Sequence, residues 1–298
     1  MSDNNQPFAR VLEATTCNGV TLWTLHIRYH RFIHGEFMTH RVFNKNASSS
    51  RAIPIARMVQ RADAMPLHWG SNRPGMQAGA ELTGWRLWAV KKLWRLGMAF
   101  TKRLSLSLAK LGLHKQLANR WTETSQWIDV IVTATEWDNF FLLRDHEKAQ
   151  PEIAALARKI RQAMFWSGAQ GYKQPREVKS GDRFNVWNWH LPFVTFEERE
   201  AATRMQYDSR SLWHNCLFLA KISSARCARV SYANHDGSAP VLSRDYKLFG
   251  DLTSDPKVMH LSPTEHQGYP MPAPWQWSKN LRGFRQHREL LERPGYDD

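Results

Sequence analysis

Residues 36–54 read EFMTHRVFNKNASSSRAIP. His40-Arg41, Asn44, Asn46, Ser48-Ser49-Ser50 and Arg51 stand close together, with one carboxylate, Glu36, at the edge. Such a concentration of donors and cations suits phosphate oxygens: arginine offers a planar fork, serine a neutral hydroxyl, and a nearby helix end free backbone N–H groups. Serine-rich stretches are also ordinary solvated loops, so these residues alone leave both readings open. Upstream, VTLWTLHIRY (20–29) alternates closely enough to predict a strand. RFIHGEFMTHR then changes to helical spacing, with Phe32, Ile33 and Phe37 able to share a face, and Pro54 limits any helix through Ala52-Ile53.

Farther along, HWGSNRPGMQAGAELTGW (68–85) reads as a glycine-rich linker into a helical region over about 85–118. The text from Trp121 to Phe165 predicts two or three helices, with Pro151 at a break or in a first turn. Residues 167–196 read as a long irregular excursion. Helical text returns at 197–223 and near 240–252, and a basic tail follows. SPTE (262–265) has the form of a capping box, serine at the N-cap, proline at N1 and glutamate at N3. The whole predicts one mixed α/β domain over 1–298, helix-rich, with a helical insertion at about 70–118 and an irregular one at about 167–196.

The 298 residues suffice for a substantial core. The formal net charge is +14, from 41 Lys+Arg against 27 Asp+Glu, which means solubility, an anionic small ligand or nucleic acid. Fourteen tryptophans, many in basic helical text such as WRLWAVKKLWRLG, can supply core, an oligomer interface or a stacking platform. Cys17, Cys216 and Cys227 form no pairing or CxxC pattern, so neither a disulfide framework nor a zinc site is implied and no metal is expected. No uncharged run approaches the roughly 20 residues of a membrane span, and the N-terminus lacks a signal-peptide layout. A reducing cytoplasm is the expected compartment.

THRVFNKNASSSR (39–51) resembles the signature of the flavin-dependent thymidylate synthases, R-H-R-x-x-S-x-N-E-x-S-x-R. His40, Arg41, Asn46, Ser49 and Arg51 fall in register; Thr39 stands for the first Arg, Asn44 for Ser and Ala47 for Glu. ARCARVSYA (225–233) is similar to that family's A-A-R-V-S segment, HLSPTEHQ (260–267) to its H-x-S/T-P-x-E-H segment, and NFFLLRDHEKAQPEI (139–153) to its N-F-L-x-L-R…A-Q-x-E-I helix. In the usual members the first two of these precede the signature; here they follow it, as in a circularly permuted arrangement. Permutation predicts that Ser231, His260, Ser262 and Glu265 fold back against residues 36–51.

The resemblance implies helices around a central mixed or antiparallel sheet, a homotetramer, and reductive methylation of dUMP to dTMP with FAD, NADPH and methylenetetrahydrofolate. It places Thr39, His40, Arg41, Asn139, Ser231, Ser262 and Glu265 on FAD. Glu36, Ser48, Ser49, Ser50, Arg51, Arg120 and Arg144 fall on dUMP, with Arg144 against the uracil ring, and His260 falls near flavin and folate. On a helix Asn139 and Arg144 point some 140° apart, which suits different ligands. None of the cysteines sits in a setting for nucleophilic attack on uracil, so the chemistry would come from the cofactor. Thr39 and Ala47 also admit a changed product, hydroxymethylation of dUMP or dCMP. A basic nucleic-acid-binding protein is the rival from another class.

Overall fold

The computed structural model describes residues 6–61, 63–205, 209–230, 239–255 and 259–293. A five-stranded sheet forms its centre, built from β1 (Phe8–Cys17), β2 (Val20–His30), β3 (Asn44–Ala47), β4 (Trp127–Ala134) and the short β5 (Arg176–Glu177). The spatial order is β3-β4-β2-β1-β5. All neighbours are antiparallel except β1 and β5, so the sheet is mixed. β1 and β2 are joined by Asn18-Gly19, both at positive φ (48° and 75°), the tight hairpin turn whose twist matches that of the strands.

Around the sheet lie α1 (His34–Met38), α2 (Ile55–Gln60), α3 (Gly84–Lys110), α4 (Lys115–Ala118), α5 (Asp138–Arg144) and α6 (Pro151–Phe165). The C-terminal half adds α7 (Phe196–Arg204), α8 (Ser209–Ala228), α9 (Leu242–Thr253) and α10 (His287–Leu291). The architecture is therefore mixed α/β, as expected.

Strand periodicity divides the sheet into two faces. Leu25, Ile27 and Tyr29 of β2 and Ile128, Val130 and Val132 of β4 point to a core closed by Ile153, Leu156 and Ile160 of α6 together with Phe37 and Phe140. Each such aliphatic side chain contributes about 2 kcal/mol on burial. The opposite face is partly polar. Thr24 and Thr133 share a 2.6 Å hydrogen bond, His190 bridges Thr15 (2.8 Å) and Thr24 (2.7 Å), and His266 Nδ1 meets Thr133 at 2.8 Å. Burial pushes both imidazoles down to about 3, so they are neutral members of a hydroxyl–imidazole chain.

Two readings are corrected. WIDVIVTA, expected within helical text, is β4, an interior strand buried on both faces; its β-branched side chains favour a strand, and apolar periodicity cannot separate that from a buried helix. SPTE is a 3-10 turn with Leu261 at its N-cap and no side-chain cap. Glu265 ion-pairs with Arg288 of α10 instead of reaching back to the turn.

Residues 167–196 are irregular, as read, yet tightly held. Gly171 sits at φ 88°, where a Cβ would come within 2.5 Å of the Ala9 carbonyl oxygen, and its own carbonyl accepts from Val11 N–H at 2.8 Å. Trp189 and His190 are fully buried. Beneath them Glu13 receives Arg199 at 2.7 Å and Arg176 at 2.9 Å. Burial alone would raise the Glu13 carboxyl, but the guanidinium groups of Arg199 and Arg176 outweigh it and hold it down at about 2.

Candidate functional site

The stretch from Glu36 to Arg51 runs from α1 through a turn into edge strand β3 and out through a second turn. β3 pairs antiparallel with β4, Asn44 opposite Thr133 and Asn46 opposite Ile131. Alternation sends Asn44 and Asn46 to one side and Lys45 to the other. Asn46 Nδ2 donates to the Cys227 carbonyl at 2.7 Å, and Ser262 Oγ donates to Asn46 Oδ1 at 3.4 Å. Residues 225–230 and 262–265 thus do fold back on the signature stretch. The end of α8 is fixed by Arg226, fully buried, which binds Glu198 of α7 at 2.6 Å and Asp245 of α9 at 2.8 Å.

On the other side of β3 the turn carries His40 to Arg144 at the end of α5. Arg144 Nε donates to His40 Nε2 at 3.0 Å and Nη2 donates to Thr39 Oγ1 at 3.3 Å; the Thr39 hydroxyl in turn donates to the Glu36 carbonyl at 2.7 Å. Burial, then the nearby Arg144 and Lys45, lower the His40 imidazole to about 4, so it is neutral with Nε2 as its acceptor. Lys45 Nζ donates to the His40 carbonyl at 2.6 Å and the Met38 carbonyl at 3.4 Å. Burial lowers this ammonium to about 8 against the opposing pull of Glu265. Beside this cluster a cleft of about 240 Å³ is lined by Thr39, His40, Arg41, Glu136, Asn139 and Arg144, with Phe140 beneath. Although Asn139 and Arg144 lie on different sides of α5, both border the same cleft.

The serine turn is divided between fold and surface. Ser48 Oγ accepts the Asp129 N–H at 3.2 Å, and Ser50, buried, donates to Glu123 Oε1 at 2.7 Å. Asn119 Nδ2 anchors the turn by donating to the carbonyls of Ser50 (2.8 Å) and Ile53 (2.9 Å). Ser49 and Arg51 are exposed, joined only by a 3.3 Å bond from the Arg51 N–H to Ser49 Oγ among the described contacts. Arg120 donates to Glu123 Oε1 at 2.9 Å, so it stands one carboxylate away from Ser50.

Arg41 borders the cleft but is exposed, and its carbonyl accepts from Asn280 Nδ2 at 3.3 Å; other expected members stand apart, Glu36 being exposed. His260 is exposed on the segment after α9, its N–H bonded to the Leu252 carbonyl at 2.9 Å. Ser231 lies outside the described residues. Glu265 remains close enough to Lys45 to influence it; burial raises its carboxyl against the lowering pull of Arg288. Lys45, Glu123, Arg31 and Glu136 were not foreseen. Of these, only Lys45 carries a sequence signal, its place inside the donor-rich stretch.

A larger cavity, about 760 Å³, lies elsewhere, between residues 66–78, Trp94 and the start of α6, and no expected site residue lines it. Among the described residues no cluster of three or more His, Cys, Asp or Glu side chains could hold a metal ion, and no helix is long and apolar enough to cross a membrane.

No family model matches the chain, and neither does any curated protein. The fold is similar to solved structures of a UMP/dUMP methylase, PolB from Streptomyces cacaoi. The form bound with 5-Br UMP aligns at 14% identity and TM-score 0.48 over 54% of this chain and 89% of that one. The form bound with 5-Br dUMP aligns at 20% identity and TM-score 0.41 over 48% and 66%. Likeness at this distance assigns no function.

Proposed function

We propose that the protein is a nucleotide-modifying enzyme that transfers a one-carbon unit to the pyrimidine of dUMP, a flavin-dependent thymidylate synthase in its finer reading. The observation that carries this is the meeting of Asn46 with Cys227 and Ser262, three motif segments far apart in the chain and in the reverse of the usual order. A permuted site requires that meeting.

The donor set around the 240 Å³ cleft, with Arg41 and Arg144 against one carboxylate, Glu136, suits an anionic ligand. That volume takes a ring or a phosphate group, not a whole dinucleotide, so FAD held by Thr39, His40, Arg41, Asn139, Ser262 and Glu265 would extend over neighbouring surfaces, as a homotetramer would provide. When bound, reduced flavin supplies the carrier and hydride chemistry, with methylenetetrahydrofolate as carbon donor and NADPH as reductant. The chain's own residues position and polarise. Exposed Ser49 and Arg51 receive the nucleotide phosphate. The Arg144 guanidinium turns from His40 and Thr39 to the uracil edge and favours its ionised form. His40, neutral and with Nε2 unprotonated, accepts a hydrogen bond from the guanidinium or from the ligand.

No cysteine is available to attack the pyrimidine. All three are buried; burial raises the thiols of Cys17 and Cys227 and pushes Cys216 up to about 12. Cytoplasmic location belongs to the same proposal.

The test is incubation with methylene-labelled methylenetetrahydrofolate, FAD and either dUMP or dCMP, with and without NADPH. NADPH-dependent dTMP is the expected product. A labelled hydroxymethyl pyrimidine would replace this reading with hydroxymethylation, and the absence of labelled nucleotide in every arm would refute it.

A further inference from the structure

Three donors converge on one oxygen at the foot of the serine turn. Glu123 Oε1 accepts from Ser50 Oγ at 2.7 Å, from Arg120 Nη1 at 2.9 Å and from Arg31 Nη2 at 3.0 Å. The arrangement of two guanidinium groups and a hydroxyl on a single anionic oxygen is the coordination a phosphate oxygen takes. Arg31 comes from the turn after β2, its N–H bonded to the Gln126 carbonyl at 2.8 Å, and Arg120 and Glu123 come from the 3-10 segment Asn119–Ser125. Arg31 and Arg120 thus set two guanidinium groups against the single Glu123 carboxylate. The cluster is open on one side: the Arg120 side chain is 50% exposed and that of Glu123 24%, whereas Arg31 is 14% exposed. Ser49 and Arg51, the chain neighbours of Ser50 on either side, are exposed.

We propose that Glu123 is an internal stand-in for a ligand phosphate, holding Arg31 and Arg120 in place until a nucleotide phosphate enters at Ser49–Arg51 and takes over those donors. This rests on the nucleotide reading above for the ligand, and it adds Arg31 as a binding residue and Glu123 as its competitor. The carboxylate has two effects. It orders the two arginines ahead of ligand entry, which lowers the entropy lost on binding. It also repels the incoming anion, so affinity is set by exchange of one anion for another. A carboxylate that merely braced the turn would behave in the opposite way, because its neutralisation would loosen the turn and weaken every ligand.

The experiment is calorimetric titration of dUMP, deoxyuridine and inorganic phosphate into the full chain and into Glu123→Gln, which keeps an acceptor for Ser50 while removing the charge. The expected result is that dUMP and inorganic phosphate bind about tenfold more tightly to the variant while deoxyuridine is unchanged. Unchanged or weaker binding of both phosphate ligands overturns the proposal, as does failure of either protein to bind any phosphate. Arg31→Met supplies an independent arm: about tenfold weaker phosphate binding is expected, and a lowered melting temperature with unchanged phosphate affinity overturns it. If deoxyuridine and dUMP do not bind but Glu123→Gln tightens inorganic phosphate, the nucleotide reading fails and this inference stands. If dUMP binds in an Arg144-dependent way but ignores Glu123→Gln, only this inference fails.

Discussion

Asn46 Nδ2 lies 2.7 Å from the carbonyl oxygen of Cys227, although 181 positions separate the two residues. The same amide accepts from Ser262 through its oxygen, so one side chain clasps the edge strand, the end of α8 and the 262–265 turn. Removing it leaves a part-buried carbonyl without its donor. Asn46→Ala is expected to cost about 1–3 kcal/mol, read as a lower urea midpoint with an unchanged slope. Wild-type stability for this variant would mean that the three segments meet without depending on the clasp.

Arg144 divides its fork between His40 and Thr39, so charge alone does not reproduce it. Arg144→Lys keeps the cation and loses the paired geometry. We expect roughly a hundredfold drop in kcat/KM with dUMP and a melting temperature near that of the wild type. Arg144→Ala also removes a cation that depresses His40, so the imidazole should titrate above about 4, measurable by NMR. No movement of that titration would separate His40 from Arg144 electrostatically.

His190, His266 and His287 are buried and each pushed down to about 3, burial being the largest cause. Their folded-state values lie below the ordinary 6.5, so the unfolded chain binds protons that the folded chain refuses. Stability is therefore fully present above pH 6.5 and falls as pH drops from there toward 3, by roughly 1.4 kcal/mol per pH unit for each histidine. Glu13, held at about 2, adds a loss that begins near its unfolded value of 4.5. Urea titrations between pH 8 and 4 should show a flat region above neutrality and a steep decline below 6; stability independent of pH across that window would contradict the buried, neutral assignment.

Gly171 combines positive φ with a backbone carbonyl where a Cβ would stand. Gly171→Ala should destabilise by about 1–3 kcal/mol through strain and displacement of the 167–196 segment from β1. Equal stability of the variant would show that this segment is not held by that contact.

Much of the frame was legible where local and tertiary preferences agree. β2 and the face shared by Ile33 and Phe37 follow their periodicity, and α6 starts at Pro151 with its apolar side chains inward. β1 escaped notice because a register shift between Val11 and Glu13 interrupts the alternation and because Glu13 is a buried carboxylate. β4 escaped because a strand apolar on both faces has no strand-like alternation. At the site, the motif order led to the approach of Ser262 to Asn46, but the use of Ser262 against strand β3 displaced the local capping reading. Glu123 and Arg31 could not be foreseen, since their meeting depends on how the turn after β2 packs against residues 119–125.

The central claim is that these converging segments hold a flavin next to a pyrimidine monophosphate, and the absorption spectrum of the purified full chain after incubation with FAD and gel filtration tests it most directly. The account predicts a yellow protein with a band at roughly 450 nm that bleaches with NADPH and shifts on addition of dUMP, the dUMP response being lost in Arg144→Ala. A protein that emerges colourless from the column, or one whose flavin spectrum ignores dUMP, would contradict it.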